Sequence, residues 1–186
     1  MSIRLIAGPT IEPVSLSEAK KQLRVEHNEE NDLISSLIRA ARVQAETESR
    51  RALLTQTWEL TLDEWPHDDE IDLAYPPLQS VISITYVTYD EQTITLPTTI
   101  YGVDATSDPG RIYLKYGQCW PRETLRRENA IKVRFVAGWA SAVEVPENYK
   151  LGIKLAITCY YENRGDTAFQ LPDACRSLWQ MDRGGW

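Results

Sequence analysis

The stretch Leu53-Leu54-Thr55-Gln56-Thr57-Trp58-Glu59-Leu60-Thr61-Leu62 divides the chain into two kinds of structure. Before it, apolar residues recur at intervals of three and four. From Thr55 they recur at two, with Trp58, Leu60 and Leu62 alternating against Thr57, Glu59 and Thr61. The first interval belongs to a helix with one buried stripe, the second to a strand with one buried face. The chain therefore changes from helix to sheet at this point, and everything on either side can be read against that boundary.

Upstream, Leu33, Ile34, Leu37, Ile38, Ala41 and Ala45 form the stripe of a long helix starting at Asn31 or Asp32, with Arg39, Arg42, Gln44, Glu46 and Glu48 expected on its outer face. Glu29, Glu30 and Asp32 lie at its start, and Arg50 and Arg51 at its end, as the helix dipole favours. A shorter helix precedes it. Ser15-Leu16-Ser17-Glu18 is a capping box, because the Ser15 hydroxyl can accept from the residue 18 amide while Glu18 reaches back.

Downstream, strands are expected at 81–89, 93–96, 100–103, 111–116 and 130–136, with Asp108-Pro109-Gly110 as a turn in which Gly110 accepts positive φ. Pro146 then opens a helix to about Asn163, with Tyr149, Ile153, Ala156 and Tyr160 on one side. The expected fold is α+β: a helical core of two N-terminal helices plus one C-terminal helix, an inserted antiparallel β region, and an extended C-terminal tail. Its parts are 1–54, 55–140, 141–166 and a docking tail at 167–186, together one domain of ordinary size.

The composition, 42% hydrophobic and 25% charged, is that of a globular protein, and no apolar run reaches the ~20 residues of a membrane span. The short apolar stretch near Ile3 falls below the ~7–15 residues of a secretory core, which points to a cytoplasmic site of synthesis. Cys119, Cys159 and Cys175 are odd in number and widely spaced, as expected of reduced, mostly buried thiols.

Charge is unevenly placed within a net −7. Glu59, Asp63, Glu64, Asp68, Asp69, Glu70 and Asp72 form a stretch without Lys or Arg, whereas Arg111, Lys115, Arg122, Arg126, Arg127, Lys132 and Arg134 are opposed there by Glu123 and Glu128 alone. Asp68, Asp69 and Glu70 against Arg122, Arg126 and Arg127 are candidate patches for head-to-tail pairing between subunits, two solvated loops being the other reading.

Catalytic signals are sparse. The two histidines, His27 and His67, leave few possible bases, and no GxSxG, Walker loop, GxGxxG or HExxH is present. The cluster His67, Asp68, Asp69, Glu70, Asp72 lacks the glycine and spacing of a calcium loop, and Cys119 reads as a buried structural thiol. No catalytic residue, metal or cofactor is expected. An enzyme or ligand-binding module on the β insertion is the competing class, with Tyr86, Tyr89, Tyr101, Trp120 and Trp139 as an aromatic platform. The tail, with Arg176, Leu178, Trp179, Met181, Arg183 and Trp186, is rich in the residue types of interface hot spots, and Gly184 and Gly185 supply bendability. It either folds back on its own body or docks on another protein; docking is the reading preferred here.

Taken in order, Leu16-Ser17-Glu18-Ala19-Lys20, Leu23-Arg24-Val25, Arg51-Ala52-Leu53-Leu54-Thr55-Gln56-Thr57-Trp58, Pro77-Leu78-Gln79-Ser80-Val81, Asp108-Pro109-Gly110-Arg111-Ile112, Trp120-Pro121, Val145-Pro146 and Tyr161-Glu162-Asn163-Arg164 resemble head-tail connector (adaptor) proteins of long-tailed bacteriophages and prophages. The resemblance covers nearly the whole chain. It implies a non-enzymatic virion protein of the neck, assembled in the host cytoplasm as a ring of about twelve copies. The implied partners are the portal protein above, gripped by the tail, and a stopper or tail-completion protein below. The resemblance further implies that packaged DNA passes through the channel without specific binding and that no membrane is involved. A stopper or tail terminator is the nearest alternative, and the N-terminal helical pair argues against those mostly β proteins.

Overall fold

The computed structural model describes residues 1–164 and 170–181. Its elements in chain order are β1 (Ser2–Ala7), α1 (Leu16–Leu23), α2 (Asn31–Ser49), β2 (Gln56–Leu62), β3 (Glu70–Leu73), β4 (Leu78–Val87), β5 (Thr93–Thr95), β6 (Tyr101–Asp104), β7 (Gly110–Leu114), β8 (Ile131–Ala137), α3 (Glu147–Glu162) and α4 (Asp173–Gln180). The fold is mixed α+β with antiparallel sheets, as the change of period at Thr55 predicts. The chain divides into two compact units, a β unit of Met1–Gly8 with Thr55–Gly138, and a helical unit of Pro9–Leu54 with the described residues from Trp139 onward.

In the β unit, five strands pair in the order β1-β2-β8-β4-β5 and three in the order β3-β7-β6. The central strand β8 alternates as a strand with one buried face should: Ile131, Val133, Phe135 and Ala137 are buried while Lys132 and Arg134 face outward. Across the ladder Leu60 and Ile84 both lie opposite Val133, so the core is a row of cross-strand apolar pairs.

Neighbouring β2 breaks the alternation at Glu59, which is 5% exposed. Its register places it between Arg4 on β1 and Arg134 on β8, and both guanidiniums reach its carboxylate, at 3.0 and 2.6 Å. The hydrogen bond from Arg134 is the largest cause holding the Glu59 carboxyl below its ordinary pKa, against the opposing effect of burial.

Two strands were hidden in the sequence. β1 is an edge strand, exposed along most of its length, so it carries no alternation to read. In β3 the alternation of Ile71 and Leu73, both buried, is masked by the acids Glu70 and Asp72. At the 108–110 turn the structure corrects the role of Gly110. Its φ is not positive; the glycine is needed because a Cβ there would sit 2.4 Å from the Leu78 Cβ.

The helical unit begins with the capping box as expected, the Glu18 amide donating to the Ser15 hydroxyl at 3.2 Å and the Ser15 amide to the Glu18 carboxylate at 2.8 Å. Its core joins Ile34, Ile38, Ala41 and Ala45 of α2 to Tyr149, Ile153, Ala156 and Ile157 of α3, with Cys175 and Trp179 of α4 packed into the same cluster. Arg42, expected on the outer face of α2, is instead buried and paired with Glu12 at 2.8 Å and Glu46 at 2.7 Å. Burying a guanidinium is tolerable because two carboxylates meet it there. Residues from Asp173 to Gln180 form a helix where an extended segment was expected.

Candidate functional site

Helix α4 follows Pro172, which fixes its own φ at the helix N-cap, and carries Asp173 in its first turn. Cys175 and Trp179, four residues apart, share its inner face. Trp179 is 0% exposed and lies against Gly152 of α3, so closely that a Cβ at Gly152 would stand 2.3 Å from the Trp179 Nε1. The Asn148 amide donates to the Leu178 carbonyl at 3.0 Å, and Arg176 Nε lies 3.6 Å from Glu48. Trp179 is thus an anchor of α4 on its own unit, which is the fold-back alternative for this residue. Of the other tail residues expected to dock, Arg176 and Leu178 are half-buried, Met181 is 75% exposed, and Arg183 and Trp186 lie outside the described residues.

The acidic residues lie in and beside the loop joining β2 to β3. Trp65 and Trp120 stack with centroids 4.8 Å apart, Tyr86 meets Trp65 edge-on, and the Trp120 indole N–H donates to the Asp68 carbonyl at 3.1 Å. The Leu114 amide donates to the Asp69 carbonyl at 2.8 Å. The loop backbone is therefore pinned while the Asp68 and Asp69 side chains remain exposed, with no ion pair to either among the described residues. Glu70, by contrast, pairs with Arg111 at 2.9 Å, so acid and base from the two charged stretches meet within one unit.

The expected basic patch is only partly available. Arg126 reaches Glu91 at 3.4 Å and donates to the carbonyls of Glu128 and Asn129, whereas Arg122 and Arg127 are exposed. Arg122 follows two residues after Trp120, and Trp120 holds Asp68, so this patch begins beside the acidic loop.

Among the described residues no three His, Cys, Asp or Glu side chains gather to hold a metal, and no helix is long and apolar enough to cross a membrane. Cys119, read from sequence as a buried thiol, is exposed, while Cys159 is half-buried and Cys175 buried. Burial pushes the Cys159 and Cys175 thiols up, away from the reactive thiolate. The proposed aromatic platform is not a surface. Tyr86, Tyr101 and Trp120 are buried, Trp139 belongs to the helical unit against Tyr149, and Tyr89 alone of the five is widely exposed.

Sequence reading missed a cleft at the end of α1. Leu16 and Val25 contribute apolar surface, Lys20, Lys21 and Arg24 contribute positive charge against the one acid Glu26, and the cleft volume is about 710 Å³. Lys20 Nζ is held by Asn28 at 2.8 Å and Asn31 at 3.1 Å, and Arg24 closes the helix in the left-handed conformation, φ 56°. The signal was present as three bases within five residues at a helix end, where they also suit the dipole.

Comparison with known proteins points in one direction. The family described as "Phage gp6-like head-tail connector protein" matches residues 13–106, half of the chain. No curated protein matches the sequence. Among solved structures, a chain from the neck of an empty gene transfer agent particle, computed with C6 symmetry, superposes with TM-score 0.80 at 21% identity, covering 97% of this chain and 95% of that one. Chains from the virion of the native particle and from its neck computed with C12 symmetry give TM-scores of 0.77 at 22% and 20% identity, with the same coverage.

Proposed function

The chain belongs to the phage gp6-like head-tail connector family, and on that basis we propose that it is a structural, non-enzymatic adaptor of the virion neck. It forms a ring, binds the portal above, offers an attachment site to a stopper or tail-completion protein below, and helps retain packaged DNA. The observation that carries this reading is the match in fold across 97% of the chain to proteins from a particle neck resolved with C6 and C12 symmetry. The four helices among the described residues support an adaptor over the mostly β neck components.

In this proposal the apolar stripes build each subunit, complementary charge closes the ring, and the exposed end of α4 with the residues after it docks on the portal. Leu178, Met181, Arg183 and Trp186 are the docking candidates; Trp179 supports them from within. Removing α4 entirely would strip Trp179 from the helical core, so a fair test cuts later. Tagged full-length chain and a chain ending at Met181 carrying Met181→Asp are expressed in particle-producing cells, and captured proteins are identified by mass spectrometry. Recovery of the portal protein by the full chain and not by the variant is expected. Equal recovery overturns the tail assignment, and recovery of no virion protein by either overturns the adaptor reading.

A further inference from the structure

We propose that the cleft at the end of α1 receives the Asp68–Asp69 loop of a second copy of this chain. The inference rests on the ring-forming reading and names the contact that closes it. The cleft presents Lys21 and Arg24 exposed, with no ion pair to either among the described residues, and with Lys20 its three bases outnumber its one acid, Glu26. The loop presents Asp68 and Asp69 exposed and equally unpaired.

Both sides are preorganised, which lowers the ordering cost of joining them. Lys20 is fixed between Asn28 and Asn31 behind the cleft rim, and the left-handed cap at Arg24 sets the direction in which the chain leaves α1. The loop is held through its own carbonyls by Trp120 and Leu114, leaving the carboxylates outward. The half-buried Pro66 beside the acids supplies apolar surface to meet Leu16 and Val25.

A contact between unlike surfaces is heterologous, the kind that propagates from copy to copy and closes a ring when the rotation permits. The cleft is also a better receiver than Arg122, Arg126 and Arg127, since Arg126 is engaged within its own unit and Arg122 neighbours the acidic loop itself.

The test uses full-length chain in particle-producing cells, with copies per particle read by quantitative mass spectrometry and folding checked by circular dichroism. Lys21→Glu with Arg24→Asp, and separately Asp68→Lys with Asp69→Lys, are each expected to reduce incorporation at least about tenfold. Combining all four substitutions restores the charge match in reverse and is expected to return incorporation to within about twofold of the unaltered chain. Arg122→Glu with Arg127→Glu is expected to leave it unchanged. The proposal is overturned if either pair is incorporated normally, or if the fourfold variant is no better than the pairs. It is also overturned if reversal in the cleft releases packaged DNA from intact rings, which would make the cleft a phosphate-binding surface. Absence of the unaltered chain from particles removes the adaptor reading and this contact together, so the two failures are told apart by that control.

Discussion

Two tryptophans with similar burial do opposite work. Trp179 in the helical unit is held by shape: it fills the space left by the missing side chain of Gly152, and its indole N–H has no hydrogen-bond partner among the described residues. Trp120 in the β unit is held by stacking on Trp65, and its N–H is used to fix the Asp68 carbonyl. The first closes a core and the second presents a loop. An aromatic residue near a charged or terminal segment is therefore not in itself a docking residue; what its polar edge touches decides whether it locks or displays.

The largest effect is expected at the lock. Trp179→Ala should cost about 3–5 kcal/mol, the usual loss for emptying a large aromatic site, seen as a lower urea midpoint of the helical unit. Gly152→Ala should act on the same contact from the other side and cost about 1–3 kcal/mol through overpacking. Finding both substitutions neutral would mean that α4 does not rest on α3 in solution.

The β unit depends more on polar pairing, and Glu59 tests that. Glu59→Gln should cost about 1–2 kcal/mol at pH 7, a modest figure because Arg4 and Arg134 are partly exposed and regain water. The folded-state pKa of Glu59 is depressed, so the stabilisation is fully present above the unfolded carboxyl value of about 4.3 and is lost as pH falls through the lower folded value. The gap in urea midpoint between the unaltered chain and Glu59→Gln should therefore narrow below about pH 4; a gap constant with pH would assign the loss to packing.

The smallest effect is expected at the displayed loop. Trp120→Phe keeps an aromatic ring over Trp65 but removes the donor to Asp68, and should cost about 1 kcal/mol of stability. If the loop matters for ring closure, particle incorporation should fall more than this small loss of stability accounts for.

Much of this arrangement is legible in the residues and some is not, for reasons that differ by place. The capping box at Ser15 and Glu18, the stripe of α2 and the change of period at Thr55 are local signals, and each appears in the structure because local propensity and tertiary packing agree. The burial of Arg42 and Glu59 depends on partners brought in from elsewhere in the chain: Glu12, which joins the neighbouring Glu46 of the same helix, for one, and Arg4 and Arg134 for the other. α4 is hard to read because Asp173, Arg176, Ser177 and Gln180 leave it a narrow buried face of two residues, Cys175 and Trp179, the second of which packs on Gly152. The composition of the tail marks it as special, but nothing local distinguishes one of its tryptophans from the other. Trp179 turns inward, while Arg183 and Trp186 lie outside the described residues.

The pairing of β1 with β2 has a consequence for the order of events in folding. Arg4 and Glu59 meet although 55 residues separate them, and α1 and α2 occupy the interval. Closing a flexible loop of that length costs about 3–4 kcal/mol of entropy before any ladder bond is gained. β2, β8 and β4 have a paired neighbour on both sides, whereas β1 has one side only. β1, although made before the strand it pairs with, is therefore expected to be among the last to join its sheet, and its amides among the first to exchange with solvent deuterium.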